Sequence, residues 1–152
     1  GVQATGGNAS SLNFTEDSTL LWPSNGSGSV LMNYSMDKTV YFATLQQYKY
    51  NPAIIIAATQ GEGIAAAADG QVSSVYQDPE IGMAVVVNLG DGYELTYGQL
   101  TDLTVAEGDV ITTGEIIGKV AEPTKYYSVE GSNVYFKLMH DGKAVDPVGY
   151  FQ

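Results

Sequence analysis

At 152 residues the chain is long enough for one domain with its own core, and no more than one is expected. Its 17 acids against 6 bases give a formal net charge of −11, which repels phosphate backbones, excludes nucleic acid as a partner, and opposes adsorption to an anionic membrane. A single histidine, His140, and no cysteine leave too few nitrogen and sulfur donors for a catalytic zinc site of about three protein ligands; the same count argues against a Ser-His or Cys-His nucleophile.

Residues 1–19 are rich in Gly, Ser, Asn and Thr and read as a flexible tail or linker, with the folded domain expected over 20–152. Asn8, Asn13, Asn25 and Asn33 open sequons in form, a pattern that arises easily by chance in so polar a stretch. Leu20-Leu21-Trp22-Pro23 marks entry into the body, an anchoring ring beside a rigid turn. Thr39–Leu45 is β-branched and aromatic and predicts a strand, while Thr44–Tyr50 predicts at most a short helical turn. The apolar run Ala53–Ala57 suits a buried strand, and Ala65–Ala68, then Asp69-Gly70, then Gln71–Tyr76 follow it. Met83–Leu89, Gly90-Asp91-Gly92 and Tyr93–Tyr97 spell a hairpin, as do Val134–Met139, His140–Lys143 and Ala144-Val145. Alternation nominates Ile64, Val72, Val85, Val87, Leu95, Tyr97, Ile116 and Phe136 for the core. The apolar runs at 52–58 and 84–87 fall far short of the ~20 residues that span a bilayer. The fold class is all-β.

An internal echo runs through the middle of the chain. Gly61-Glu-Gly-Ile-Ala-Ala-Ala-Ala-Asp-Gly-Gln-Val and Gly108-Asp-Val-Ile-Thr-Thr-Gly-Glu-Ile-Ile-Gly-Lys-Val share a rhythm of glycine turn, short strand, second turn, apolar strand. Biotinyl and lipoyl carriers show a similar rhythm, but their attachment lysine sits at a hairpin tip. Asp37-Lys38-Thr39 lies ahead of both repeats, so Lys38 reads as a surface lysine and no cofactor is expected.

Five segments in order then resemble peptidase family M23, the LytM-type zinc peptidases: Asn51–Ala58, Ala65–Val72, Gly90–Leu100, Val105–Gly118, and Asn133–Lys137 with Asp141–Pro147. The resemblance implies an antiparallel β-sandwich or partly open barrel. Carried across position by position, the family's first zinc histidine falls on Asn51, its aspartate on Ile55 and its third ligand on Tyr135. The two histidines that position water and stabilise the transition state fall on Gln99 and Asn133. The family's glycine-rich loop is replaced by residues 122–131. No metal is therefore expected at these positions. Elsewhere, His140 reads as a solvent-facing turn residue, and Asp102, Glu107 and Asp109 as a solvated acidic loop with no EF-hand spacing.

What remains is a candidate binding rim of Tyr48, Tyr50, Tyr126 and Tyr127, near the degenerate positions in sequence. The bland alternative for these rings is half-buried strand filler. The resemblance implies a catalytically inactive module outside the cytoplasm, anchored by an upstream transmembrane segment, as in sporulation members of the family. It would bind a protein partner through a strand edge or the aromatic rim. The alternative is a module that grips peptidoglycan or keeps residual endopeptidase activity.

Overall fold

The computed structural model describes residues 12–24 and 29–151, together with the backbone of 2–3. Asn8 and Asn25 lie outside the described residues. Thirteen strands are present among them: β1 (Val2–Gln3), β2 (Val30–Met32), β3 (Ser35–Phe42), β4 (Gln47–Asn51), β5 (Ile54–Ala57), β6 (Gly63–Ala65), β7 (Gly70–Asp78), β8 (Gly82–Gly90), β9 (Tyr93–Thr101), β10 (Asp109–Ile111), β11 (Ile116–Val120), β12 (Asn133–His140) and β13 (Lys143–Val145). One open sheet runs β1-β10-β7-β8-β9-β12-β5-β2, with β11 joining β6 to β9 and β13 edging β12; β3 and β4 form a separate hairpin. Every named strand pair is antiparallel, as expected.

The expected hairpins form where the turn chemistry places them, since Asp91 and Asp141 both adopt positive φ ahead of a glycine that does the same. The sequence echo is a pseudo-twofold in space: β6 pairs with β11 while β7 pairs with β10. Its details repeat. Gly61 N donates to Val120 O and Gly108 N to Val72 O, each at 2.8 Å. Thr59 N donates to Glu62 Oε1 and Ala106 N to Asp109 Oδ2, each at 2.9 Å. Asp109 thus caps its own turn, and no group of three or more His or acidic side chains that would hold a metal exists among the described residues.

Of the core nominees, Ile64, Val72, Val85, Val87, Leu95, Tyr97 and Phe136 are buried. Ile116 is not: it is 47% exposed, and its neighbour Ile117 fills the core instead. Gly118 pairs with Ile64 and Ile116 with Ala65, so an extra residue of β11 sits in this ladder. Such a bulge reverses the inward-outward alternation that the sequence pattern assumed. The segment expected as a loose tail contributes Phe14 to the core, its ring 4.9 Å from Tyr93 in an edge contact. Gly90 allows that docking, because a Cβ there would stand 2.4 Å from Leu12 O. Trp22 anchors as expected, edge-on to Phe151 at 4.9 Å.

The predicted helical turn over Thr44–Tyr50 is corrected. A turn at 43–46 carries Gln46 at positive φ, and residues 47–51 are strand β4. Leu, Gln and Lys favour helix in isolation, but the alternation of Tyr48 and Tyr50 against half-buried Lys49 suits a two-faced hairpin.

Candidate functional site

Of the five degenerate positions, Ile55 and Tyr135 belong to one small apolar cluster, and Asn51 is hydrogen-bonded to another of its members, Ala53. Asn51 closes β4 and is buried; its Nδ2 donates to Asn33 O at 2.9 Å, and its Oδ1 accepts from Ala53 N at 3.4 Å. Ile55 on β5 is fully buried and lies directly opposite Tyr135 on β12. Met32, Phe42, Ala53 and Tyr127 complete the cluster, with Val40, Leu45, Ile81 and Tyr126 packed around it. Burial pushes the Tyr135 phenol up to about 12, helped by the nearby Tyr76, Glu80 and Asp78. Tyr127 is raised further, again mainly by burial.

Gln99 occupies an unusual point in the sheet. β9 pairs with β12 as far as Gly98 and with β11 from Leu100 onward, so Gln99 sits where the strand changes partner. Toward β8 the register skips from Tyr97 to Leu100 while β8 advances only from Val85 to Met83, which makes this a bulge with Gln99 at φ 64°. Gly98 beside it is required by close approach, since a Cβ there would stand 3.0 Å from both Ile81 O and the Tyr135 Cβ. The Gln99 amide is fully used: Nε2 donates to Glu80 O (3.3 Å) and Thr124 Oγ1 (3.4 Å), and Oε1 accepts from Thr124 N (3.2 Å). Asn133 is buried and its Nδ2 donates to Gly131 O at 2.7 Å, while Oδ1 has no partner.

The loop over 122–131 is thereby fastened at both ends. Thr124 is held by Gln99 and by its own bond to Glu80 O (2.6 Å), and Glu130 accepts from Thr44 Oγ1 (2.5 Å), which in turn accepts from Val129 N (2.9 Å). Thr44, Thr124 and Glu130 went unremarked in the sequence, because nothing in a lone Thr or Glu announces a partner about 25 to 86 positions away.

This donor set does not fit zinc. Ile55 offers only hydrocarbon, and the Tyr135 phenol resists forming the phenolate a metal would need. The Asn51 carbonyl is a neutral oxygen already accepting a backbone hydrogen bond.

The candidate rim is not one surface. Tyr127 is buried and belongs to the cluster floor, and Tyr126 is half-buried beside it with Lys125 Nζ 5.5 Å over its ring. Tyr48 and Tyr50 point away, on the outer face of the β3–β4 hairpin, whose inner face sets Phe42 into the cluster. His140 is less exposed than a free turn residue: its ring stacks on Tyr93 at 4.0 Å and its Nε2 lies 3.4 Å from Asp141 Oδ2.

The profile of peptidase family M23 matches residues 49–147, about two thirds of the sequence and all five degenerate positions. The chain belongs to peptidase family M23. It is 29% identical over 105 residues to Stage II sporulation protein Q of Bacillus subtilis, covering 68% of this chain and 37% of that protein. It is 30% identical over 104 residues to the DD-carboxypeptidase/endopeptidase Mpg of Neisseria meningitidis, covering 68% of this chain and 23% of that protein. The chain thus spans well under half the length of these relatives. Among solved structures, the SpoIIQ–SpoIIIAH pore forming complex superimposes with a TM-score of 0.76 at 24% identity, over 90% of this chain and 93% of the matched one. A zinc containing peptidase from Vibrio cholerae superimposes with a TM-score of 0.70 at 17% identity, over 83% of this chain and 38% of that one. The M23 fold is thus shared by relatives with and without a partner-bound role in their names.

Proposed function

We propose that this chain is a non-cleaving member of family M23 that serves outside the cytoplasm as a protein-interaction module in sporulation or cell-envelope assembly, held there by an upstream membrane anchor. One observation carries the reading: Ile55 and Tyr135, at two ligand positions of the family, face each other inside a packed apolar cluster. Where a peptidase needs an open coordination position and a bound water, this chain has side chains in contact. The likeness to Stage II sporulation protein Q, and to a fold solved as a complex with SpoIIIAH, supports assembly with a protein partner.

Two of the open edges, β2 and β3, are poorly suited to the expected docking by strand addition. β2 has three residues and a bulge at Leu31, and β3 is irregular between Ser35 and Val40; short bulged edges discourage pairing. Charge is the better guide. With −11 overall and Lys49–Glu80 the one lysine–carboxylate pair among the described residues, the surface suits a basic partner.

Two assays test this. Purified cell walls and stem peptides should remain uncut with or without added zinc, and zinc-dependent turnover abolished by chelation would favour the hydrolase reading instead. A SpoIIIAH relative should be retained by the immobilised chain at low salt and released as salt rises; absence of retention at low salt counts against that partner class.

A further inference from the structure

The apolar cluster around Ile55 keeps polar groups at its mouth that the packing beneath does not use. Tyr127 and Tyr135 are only 3% and 8% exposed. Hydrogen bonds engage the hydroxyls of Tyr34, Tyr93, Tyr97 and Tyr150, but neither of these two has a partner among the described residues. Asn133 Oδ1 is the one enclosed side-chain atom left without a partner there, so both hydroxyls reach solvent. The rings are buried and their oxygens are open.

Two carboxylates flank them. Asp78 Oδ1 accepts from Glu80 N (2.8 Å) and Ile81 N (3.0 Å), and Glu80 O accepts from Gln99 Nε2 (3.3 Å), which pins this turn to the sheet. Ile81 packs against the same cluster as the two tyrosines. After burial, Glu80 and Asp78 are among the groups that hold both phenol protons more tightly, so the carboxylates stand near the hydroxyls. Asp78 forms no ion pair among the described residues, and Glu80 meets Lys49 at 3.5 Å with both side chains half-exposed.

The chain itself shows which groups settle here. Of its 6 basic residues, two lie over rings of this cluster: Lys49 Nζ is 4.7 Å from the Phe42 centroid and Lys125 Nζ 5.5 Å from that of Tyr126. Ring faces and carboxylates attract cations together. An anion would meet like charge, and an apolar group would strip water from the carboxylates without replacing it. A guanidinium suits the place better than an ammonium: it lies flat on a ring while its five donors reach several acceptors, where an ammonium is a compact point charge.

We infer that the mouth formed by Asp78, Glu80, Tyr127 and Tyr135 is an anchor pocket for one arginine side chain of the protein partner. That the arginine belongs to a protein rests on the interaction-module reading; the preference of the pocket for a guanidinium does not.

The test is a titration of the labelled chain with N-acetyl-arginine amide, beside its lysine and citrulline counterparts, followed by amide resonances. Shifts should concentrate at Asp78–Ile81 and around Tyr127 and Tyr135, arginine should bind more tightly than lysine, and neutral citrulline should leave the spectrum unchanged. The affinity should fall as salt rises. In D78N/E80Q the Asn keeps the oxygen that accepts from the turn, and the variant should bind arginine about tenfold more weakly at unchanged circular dichroism. Glu107→Gln removes an exposed carboxylate from the turn before β10 and should bind within about twofold of the parent. The inference is overturned by arginine shifts spread over the acidic surface, by citrulline binding as well as arginine, or by D78N/E80Q binding arginine like the parent. A SpoIIIAH relative retained equally by parent and D78N/E80Q also overturns the anchor, and leaves the interaction-module reading standing. Localised arginine shifts with no SpoIIIAH relative retained do the reverse: they uphold the pocket and count against that partner.

Discussion

Ile55 and Tyr135 stand directly opposite each other where β5 pairs with β12, both buried. The resemblance implies that these two positions correspond to an aspartate and a histidine ligand of the family; in this chain they meet through hydrocarbon and a ring. Such aromatic–aliphatic pairs stabilise a sheet by some tenths of a kcal/mol up to about 1. Here the space between the two is filled by packed side chains.

Restoring the acid alone should therefore harm the protein. Ile55→Asp places a carboxylate among Met32, Phe42, Tyr127 and Tyr135, and is expected to lower stability by about 3 kcal/mol or more. Urea unfolding reads this as a lower midpoint at unchanged slope. Elemental analysis of the parent should give far less than one zinc per chain. A parent with stoichiometric zinc, or an Ile55→Asp chain that zinc returns to parental stability, would contradict the packing account.

Gln99 gives a sharper comparison. Its amide makes three bonds, and its backbone sits at φ 64°, a region costing roughly 1–2 kcal/mol for a residue with a Cβ. Gln99→Ala loses the bonds and keeps the strain. Gln99→Gly loses the same bonds but relieves the strain, at an entropic cost of about 0.5–1 kcal/mol. Glycine is thus expected to be the milder substitution, by about 0.5 kcal/mol, in thermal or urea unfolding. An alanine variant as stable as the glycine one would show that the bulge relaxes elsewhere.

Much of the architecture was legible because local chemistry and global fold agree. Asp91-Gly92 and Asp141-Gly142 turn where such pairs turn, and the Gly61 and Gly108 echoes meet as β6–β11 and β7–β10. Of the positions assigned by resemblance, Ile55 and Tyr135 share one packed cluster. What the sequence hid was direction. Tyr126 and Tyr127 are adjacent in a 3-10 turn, and only packing decides that Tyr127 goes inside. Tyr48 and Tyr50 look close to the cleft along the chain, but β4 presents them to the outside, with Tyr41 as a third member contributed by the opposite strand.

Alkaline pH probes the same cluster. Tyr135 has its folded-state value raised to about 12 from an ordinary 10, and Tyr127 moves in the same direction. Between these values the unfolded chain has released protons that the folded chain retains, so stability falls as pH rises. The contribution is complete below pH ~10 and is lost through pH ~12. Tyr135→Phe should flatten that part of the stability profile, and the tyrosinate absorbance titration should lose a late component. A profile identical to the parent's over this window would place the alkaline loss on other tyrosines.

The bulge in β11 makes a prediction about two neighbouring isoleucines. Ile117 is fully buried in the main core, whereas Ile116 lies on the surface near Leu21 and Trp22. Ile117→Ala removes methyl and methylene groups from a close-packed interior and should cost about 2–5 kcal/mol. Ile116→Ala removes the same atoms from a site already in water and should stay within about 0.5 kcal/mol of the parent. The two variants have identical composition, so any difference between them reports register alone. Comparable losses from both would mean that Ile116 is covered in solution, either by a second copy or by a shift of β11 past the bulge. A concentration-dependent midpoint would identify the former, because only association couples stability to protein concentration.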